Sequence, residues 1–69
     1  MKEELCGFYS QVITSRGYNF TEAAKVSGMS RSQINNILNH NGREVSIEKI
    51  IEGFSGMGYT INFTLEYNQ

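Results

Sequence analysis

Thr21-Glu22-Ala23-Ala24-Lys25-Val26-Ser27-Gly28-Met29-Ser30-Arg31-Ser32-Gln33-Ile34 is the stretch that decides the fold. It contains a helix stop and a helix start within three residues. Asn19, just upstream, is a good N-cap, and Glu22 stands three residues on, a variant of the capping box. The residues that follow supply a short helix over 20–27. Gly28 ends it, at a place that needs a positive φ, which glycine adopts without steric cost. Ser30 then restarts a helix, with Gln33 three residues later as a second capping box. Ile34, Ile37 and Leu38 give this second helix, over 31–39, its apolar face. Ala24 is small enough for the second helix to pack close, Gly28 follows four positions later, and Met29, Ile34 and Ile37 anchor the second helix. The spacing Ala24–Gly28–Ile34–Ile37 is that of a helix-turn-helix.

The flanks complete a small domain. Upstream, Leu5, Phe8, Tyr9, Val12 and Ile13 follow the stripe of an amphipathic helix over 3–16, stopped at Gly17. Cys6 lies beside that stripe as a small packing residue. Downstream, Ser46 caps a helix over 47–55, in which Ile47, Ile50, Ile51 and Phe54 keep helical spacing. The period then changes. Tyr59, Ile61, Phe63, Leu65 and Tyr67 alternate with Thr60, Asn62, Thr64 and Glu66, which predicts a strand over 59–67. A lone strand leaves its N–H and C=O groups unpaired. The expectation is therefore a dimer interface of Tyr59, Ile61, Phe63, Leu65 and Tyr67, formed by antiparallel pairing of two copies about a two-fold axis. The expected fold class is mainly α: a compact four-helix domain with one C-terminal β-strand pairing across a dimer.

Sixty-nine residues leave room for one domain, here 1–69, with 58–69 as its dimerisation strand. Cys6 is the only cysteine and His40 the only histidine, so neither an internal disulfide nor a Cys/His zinc site is available, and no cofactor or metal is expected. No apolar run is long enough to span a membrane, and the start Met1-Lys2-Glu3-Glu4 is unlike a signal peptide, so the expected location is cytoplasmic. Net charge is −1, but it is unevenly distributed. Between residues 16 and 43, Arg16, Lys25, Arg31 and Arg43 oppose Glu22 alone, a charge of +3, and the remainder carries −4. A basic middle with acidic ends places the cations around the helix-turn-helix.

With Val45-Ser46-Ile47-Glu48-Lys49-Ile50-Ile51 and the ending Met57-Gly58-Tyr59-Thr60-Ile61, the quoted stretch resembles the lambda-repressor/Cro-like (XRE-type) helix-turn-helix family, in particular its small prokaryotic or phage members with a C-terminal strand. The resemblance covers roughly residues 18–65. It implies a DNA-binding domain whose second motif helix enters the major groove. One departure is Phe20, which stands where many members have a backbone-anchoring Gln; Thr21 or Asn19 is available for that role.

The outward face of the second motif helix can be placed independently of the family. Setting Ile34, Ile37 and Leu38 inward points Asn36, Ser32 and Asn39 outward, with Gln33 and His40 on one flank and Asn35 on the other. Arg can read guanine through O6 and N7, and Asn or Gln can read adenine through N6 and N7. The expected base contacts are Arg31, Ser32, Gln33 and Asn36. The expected backbone contacts are Thr21, Lys25, Ser30, Asn35, Asn39 and Arg43. Arg16 is a further phosphate candidate; it, Lys25 and Arg43 are equally readable as solvated charges.

Enzymatic readings find no support in the sequence. The chain contains no Asp, His40 has no nucleophile at a recognisable spacing, and Gly53-Phe54-Ser55-Gly56 is not a nucleophile elbow. The expected function is a dimeric, sequence-specific transcriptional regulator, most simply a repressor on a pseudo-palindromic operator, with double-stranded DNA and itself as partners. The alternative is a protein-binding module, such as an antitoxin or an anti-CRISPR-associated protein, whose main ligand is another polypeptide. That module would show an apolar patch on the recognition face.

Overall fold

A computed structural model describes residues 1–62 and contains four helices: α1 (Lys2–Arg16), α2 (Phe20–Ser27), α3 (Arg31–Asn39) and α4 (Ile47–Gly56). Each agrees with its expected span to within one residue at either end. The mainly α reading holds. Among the described residues there is no strand; 59–62 are irregular, and the rest of the expected strand, with Phe63, Leu65 and Tyr67, lies outside them.

The helix ends follow local chemistry. Asn19 Oδ1 accepts from the Glu22 N–H at 2.8 Å while Glu22 Oε1 accepts from the Asn19 N–H at 3.0 Å. Ser30 and Gln33 make the same reciprocal pair at 3.1 and 2.9 Å, and Ser46 Oγ accepts from the Lys49 N–H at 3.1 Å. These bonds satisfy donors that a helix start otherwise leaves to solvent. Gly28 has φ 65°, and the Met29 N–H bonds to the Ala24 carbonyl at 3.0 Å. That bond closes the tight turn between α2 and α3.

The helices meet around Tyr9, Ile34, Ile37 and Ile50, all fully buried. Burying side chains of this size stabilises the fold by about 1.5–3 kcal/mol each. Tyr9 ties three helices together. It leaves from α1, meets Phe54 of α4 edge to face at 5.5 Å, and its hydroxyl hydrogen-bonds Ser27 of α2. Burial raises the Tyr9 phenol above its ordinary pKa, with the Ser27 bond partly offsetting this.

Two placements in and around α1 differ from expectation. Phe8, on the predicted apolar stripe, is 59% exposed, whereas Cys6 beside the stripe is buried. The cause is the loop after α3, which packs against the start of α1: a Cβ on Gly42 would lie 2.9 Å from Cys6 Sγ. The inward face of α1 is thereby turned toward Cys6 and away from Phe8. The thiol is pushed above its ordinary pKa by burial, only partly countered by Lys2. Arg16, a phosphate candidate, instead closes the end of α4. Its Nη1 donates to the Met57 carbonyl at 2.8 Å, and the guanidinium lies 5.0 Å from the centre of the Tyr59 ring.

Candidate nucleic-acid interface

The α2–α3 turn fixes how α3 is presented. Ile34 and Ile37 are buried against the other helices, while Arg31, Ser32, Asn35, Asn39 and the C-cap His40 are exposed. This surface carries a guanidinium, amides, a hydroxyl and an imidazole, and no carboxylate. Thr21, Lys25 and Ser30 are exposed on and just after α2, and Arg43 is exposed in the loop that follows α3. Ser30 Oγ is engaged as the N-cap acceptor.

Asn36 requires a correction. The helical wheel points it outward as a base-reading residue, but it is only 8% exposed. Its Oδ1 accepts the Glu44 N–H at 2.9 Å, and its backbone carbonyl accepts from the N–H groups of both His40 and Gly42. Asn36 thus organises the turn in which Asn41 (φ 54°) and Gly42 (φ 67°) are left-handed and from which Val45 enters the core. The wheel took its inward direction from the apolar residues of α3 alone. The loop that folds over one flank buries Asn36 and moves the outward direction toward Asn35.

Gln33 is also partly committed. It is half-buried, and its Oε1 accepts from the Ser30 N–H, so only its amide NH₂ remains for another partner. Asn35 and Asn39, expected to meet the DNA backbone, instead lie near the middle of the exposed face. They are one turn apart and joined by a bond from Asn39 Nδ2 to Asn35 Oδ1 at 2.7 Å. Spacing alone gave i, i+4 adjacency for this pair, but not its central position. A polar cleft of about 200 Å³ at the end of α3 brings His40, Arg43 and Glu44 beside Asn36. Glu44 there partly offsets the charge of Arg43.

The roles of Asn36 and Asn35 separate by experiment. Asn36→Ala is expected to lower stability by about 1–2 kcal/mol, because the Glu44 N–H loses its acceptor and the turn its anchor. Asn36→Asp, which keeps an acceptor oxygen, is expected to retain more of it. Urea denaturation followed by circular dichroism reads this. An Asn36→Ala protein as stable as the parent would show that the turn does not depend on the side chain.

Among the described residues no helix is long and apolar enough to cross a membrane, and no group of three or more His, Cys, Asp or Glu is placed to hold a metal ion. Comparison with protein-family models, curated proteins and solved structures finds no match to this chain.

Proposed function

We propose that the protein is a sequence-specific, non-enzymatic DNA-binding regulator that acts as a dimer, with α3 as its recognition helix. One observation carries this reading: two short helices joined at a left-handed Gly28 present an exposed polar face, Arg31, Ser32, Asn35 and Asn39, that has no carboxylate. An α-helix fits the major groove, where Arg reads guanine and Asn reads adenine. The N-termini of α2 and α3 direct their dipoles toward phosphate. Lys25 and Arg43 are the phosphate cations, with Thr21 and Ser30 as hydroxyl donors. In this reading Arg31, Ser32 and Asn35 read bases, Gln33 contributes through its free NH₂, Asn36 acts by shaping the following turn, and Asn39 orients Asn35. The resemblance to small lambda-repressor/Cro-like domains points the same way. A cytoplasmic repressor on a pseudo-palindromic operator, with half-sites about 34 Å apart, is the simplest form of this activity.

Selection of bound sequences from a random DNA pool tests the reading directly. A half-site motif repeated with two-fold symmetry is the expected result, and a pool with no enriched sequence would sink the proposal. On the selected site, Asn35→Ala is expected to lower affinity by about 1–3 kcal/mol while nonspecific binding barely changes. Lys25→Ala should weaken specific and nonspecific binding alike, and reduce the slope of log affinity against log salt by about one contact's worth. Fluorescence anisotropy across a salt series distinguishes the two patterns.

A further inference from the structure

α1 carries an outward surface that the DNA-binding reading leaves unused. Phe8 is 59% exposed and Tyr59 is 42% exposed. Together with Leu5, Val12, Phe54 and Ile61 they line an almost wholly apolar groove of about 310 Å³ between α1 and the segment after α4. A large aromatic residue left outside a small core, beside an open apolar groove, is a feature of association surfaces. Gly7 adds an independent observation. It sits inside α1, where glycine weakens a helix relative to alanine, yet a Cβ there would meet nothing within 4 Å. The fold of a single chain does not need a glycine at this point. A second surface approaching α1 closely does. Gly7 lines a shallow depression with Glu4, Phe8 and Gln11, directly beside the groove.

We propose that this groove seats a second copy of the chain, with Phe8 as the central contact. The inference rests on the dimer in the functional reading and gives α1 a part in it. Tyr59 and Ile61, expected at the dimer contact, form one wall of the groove, so the two surfaces are continuous. Seven residues follow Asn62, and Phe63, Leu65 and Tyr67 among them repeat the alternation begun by Tyr59 and Ile61. The sequence from Thr60 to Tyr67 has no glycine or proline to reverse it onto a groove that Tyr59 and Ile61 already wall. The same apolar residues on a second copy meet no such constraint. The surface is also self-complementary: α1 offers a projecting ring at Phe8 and a gap at Gly7 one residue away. A two-fold axis beside α1 would set each Phe8 against the other copy's Gly7 and groove, an isologous contact.

The test uses the full chain and two substitutions at exposed positions, Phe8→Lys and Gly7→Lys. Each places a lysine within one turn of Glu4, which favours the helix, so circular dichroism of the isolated chain should be preserved. Sedimentation equilibrium should show wild-type dimer and a dissociation constant raised at least about 30-fold in both variants. If Phe8→Lys fails to fold, Gly7→Lys decides alone. A folded variant that self-associates within about threefold of wild type overturns the groove contact. If Phe63→Asp then dissociates the protein, the strand dimer stands without α1. A wild type that is monomeric while bound to its selected DNA site overturns both the groove and the dimer and leaves the α3 reading intact.

Discussion

Alanine at position 56 is expected to destabilise the fold by about 2–4 kcal/mol, one of the largest effects a single methyl can have in this chain. Gly56 is the last residue of α4, and there α4 meets α2 backbone to side. A Cβ on Gly56 would stand 2.0 Å from the Val26 carbonyl oxygen and 3.2 Å from the carbonyl carbon. No flexible side-chain end can move aside, because the obstacle is the α2 backbone itself. Either α4 lifts from α2 or its last turn unwinds. Lifting α4 strains the Tyr9 contacts to Phe54 and Ser27, and unwinding it removes the Met57 carbonyl that Arg16 holds. Gly53, one turn earlier, is a milder case. A Cβ there would lie 2.6 Å from Met29 Cε, the far end of a flexible side chain. Gly53→Ala should therefore cost less than Gly56→Ala. Urea midpoints for the two variants give the ordering, and a Gly56→Ala protein as stable as the parent would mean that α2 and α4 do not meet as closely as described.

The contrast between these glycines and the helix boundaries shows which kinds of information the sequence displays. The starts of α2, α3 and α4 were legible because a cap is a contact between residues three apart, and Asn19-Glu22, Ser30-Gln33 and Ser46 state it in the chain itself. The turn at Gly28 was legible for the same reason. Gly56 was read only as part of a helix end, since its proximity to Val26 spans thirty positions and leaves no local mark. Asn36 failed on a shorter scale. Periodicity correctly located Ile34 and Ile37 inside, but the covering of α3's flank by the loop to Ser46 is not periodic. The same blindness hid the exposure of Phe8 and the tie between Arg16 and Met57. The candidate site was accordingly legible as an element and a polarity, and not as an angle. The face is on α3, it is polar and lacks carboxylates, but its centre lies nearer Asn35 than Asn36.

That corrected centre makes Arg31 the most informative residue to reverse. Arg31→Glu is expected to lower affinity for the selected DNA site by about 1,000-fold or more while the fold holds or strengthens. The two effects have opposite signs because they arise from different fields. Arg31 is the first residue of α3, and a carboxylate at a helix N-terminus is favourable by about 0.3–1 kcal/mol. The side chain is exposed, so the substitution disturbs no buried contact. Toward DNA, each copy loses a guanidinium contact of about 1–3 kcal/mol and acquires an anion facing phosphates. In a two-fold dimer both half-sites suffer, and the free energies add when the copies are held together. Arg31→Lys separates charge from shape. Lysine keeps the cation but lacks the planar fork, so nonspecific binding should persist while discrimination between cognate and scrambled sites falls. Thermal melts and anisotropy titrations on the same preparations read both signs. An Arg31→Glu protein that binds the selected site within about threefold of wild type would remove α3's N-terminal turn from the interface and with it the proposed orientation of the domain on DNA.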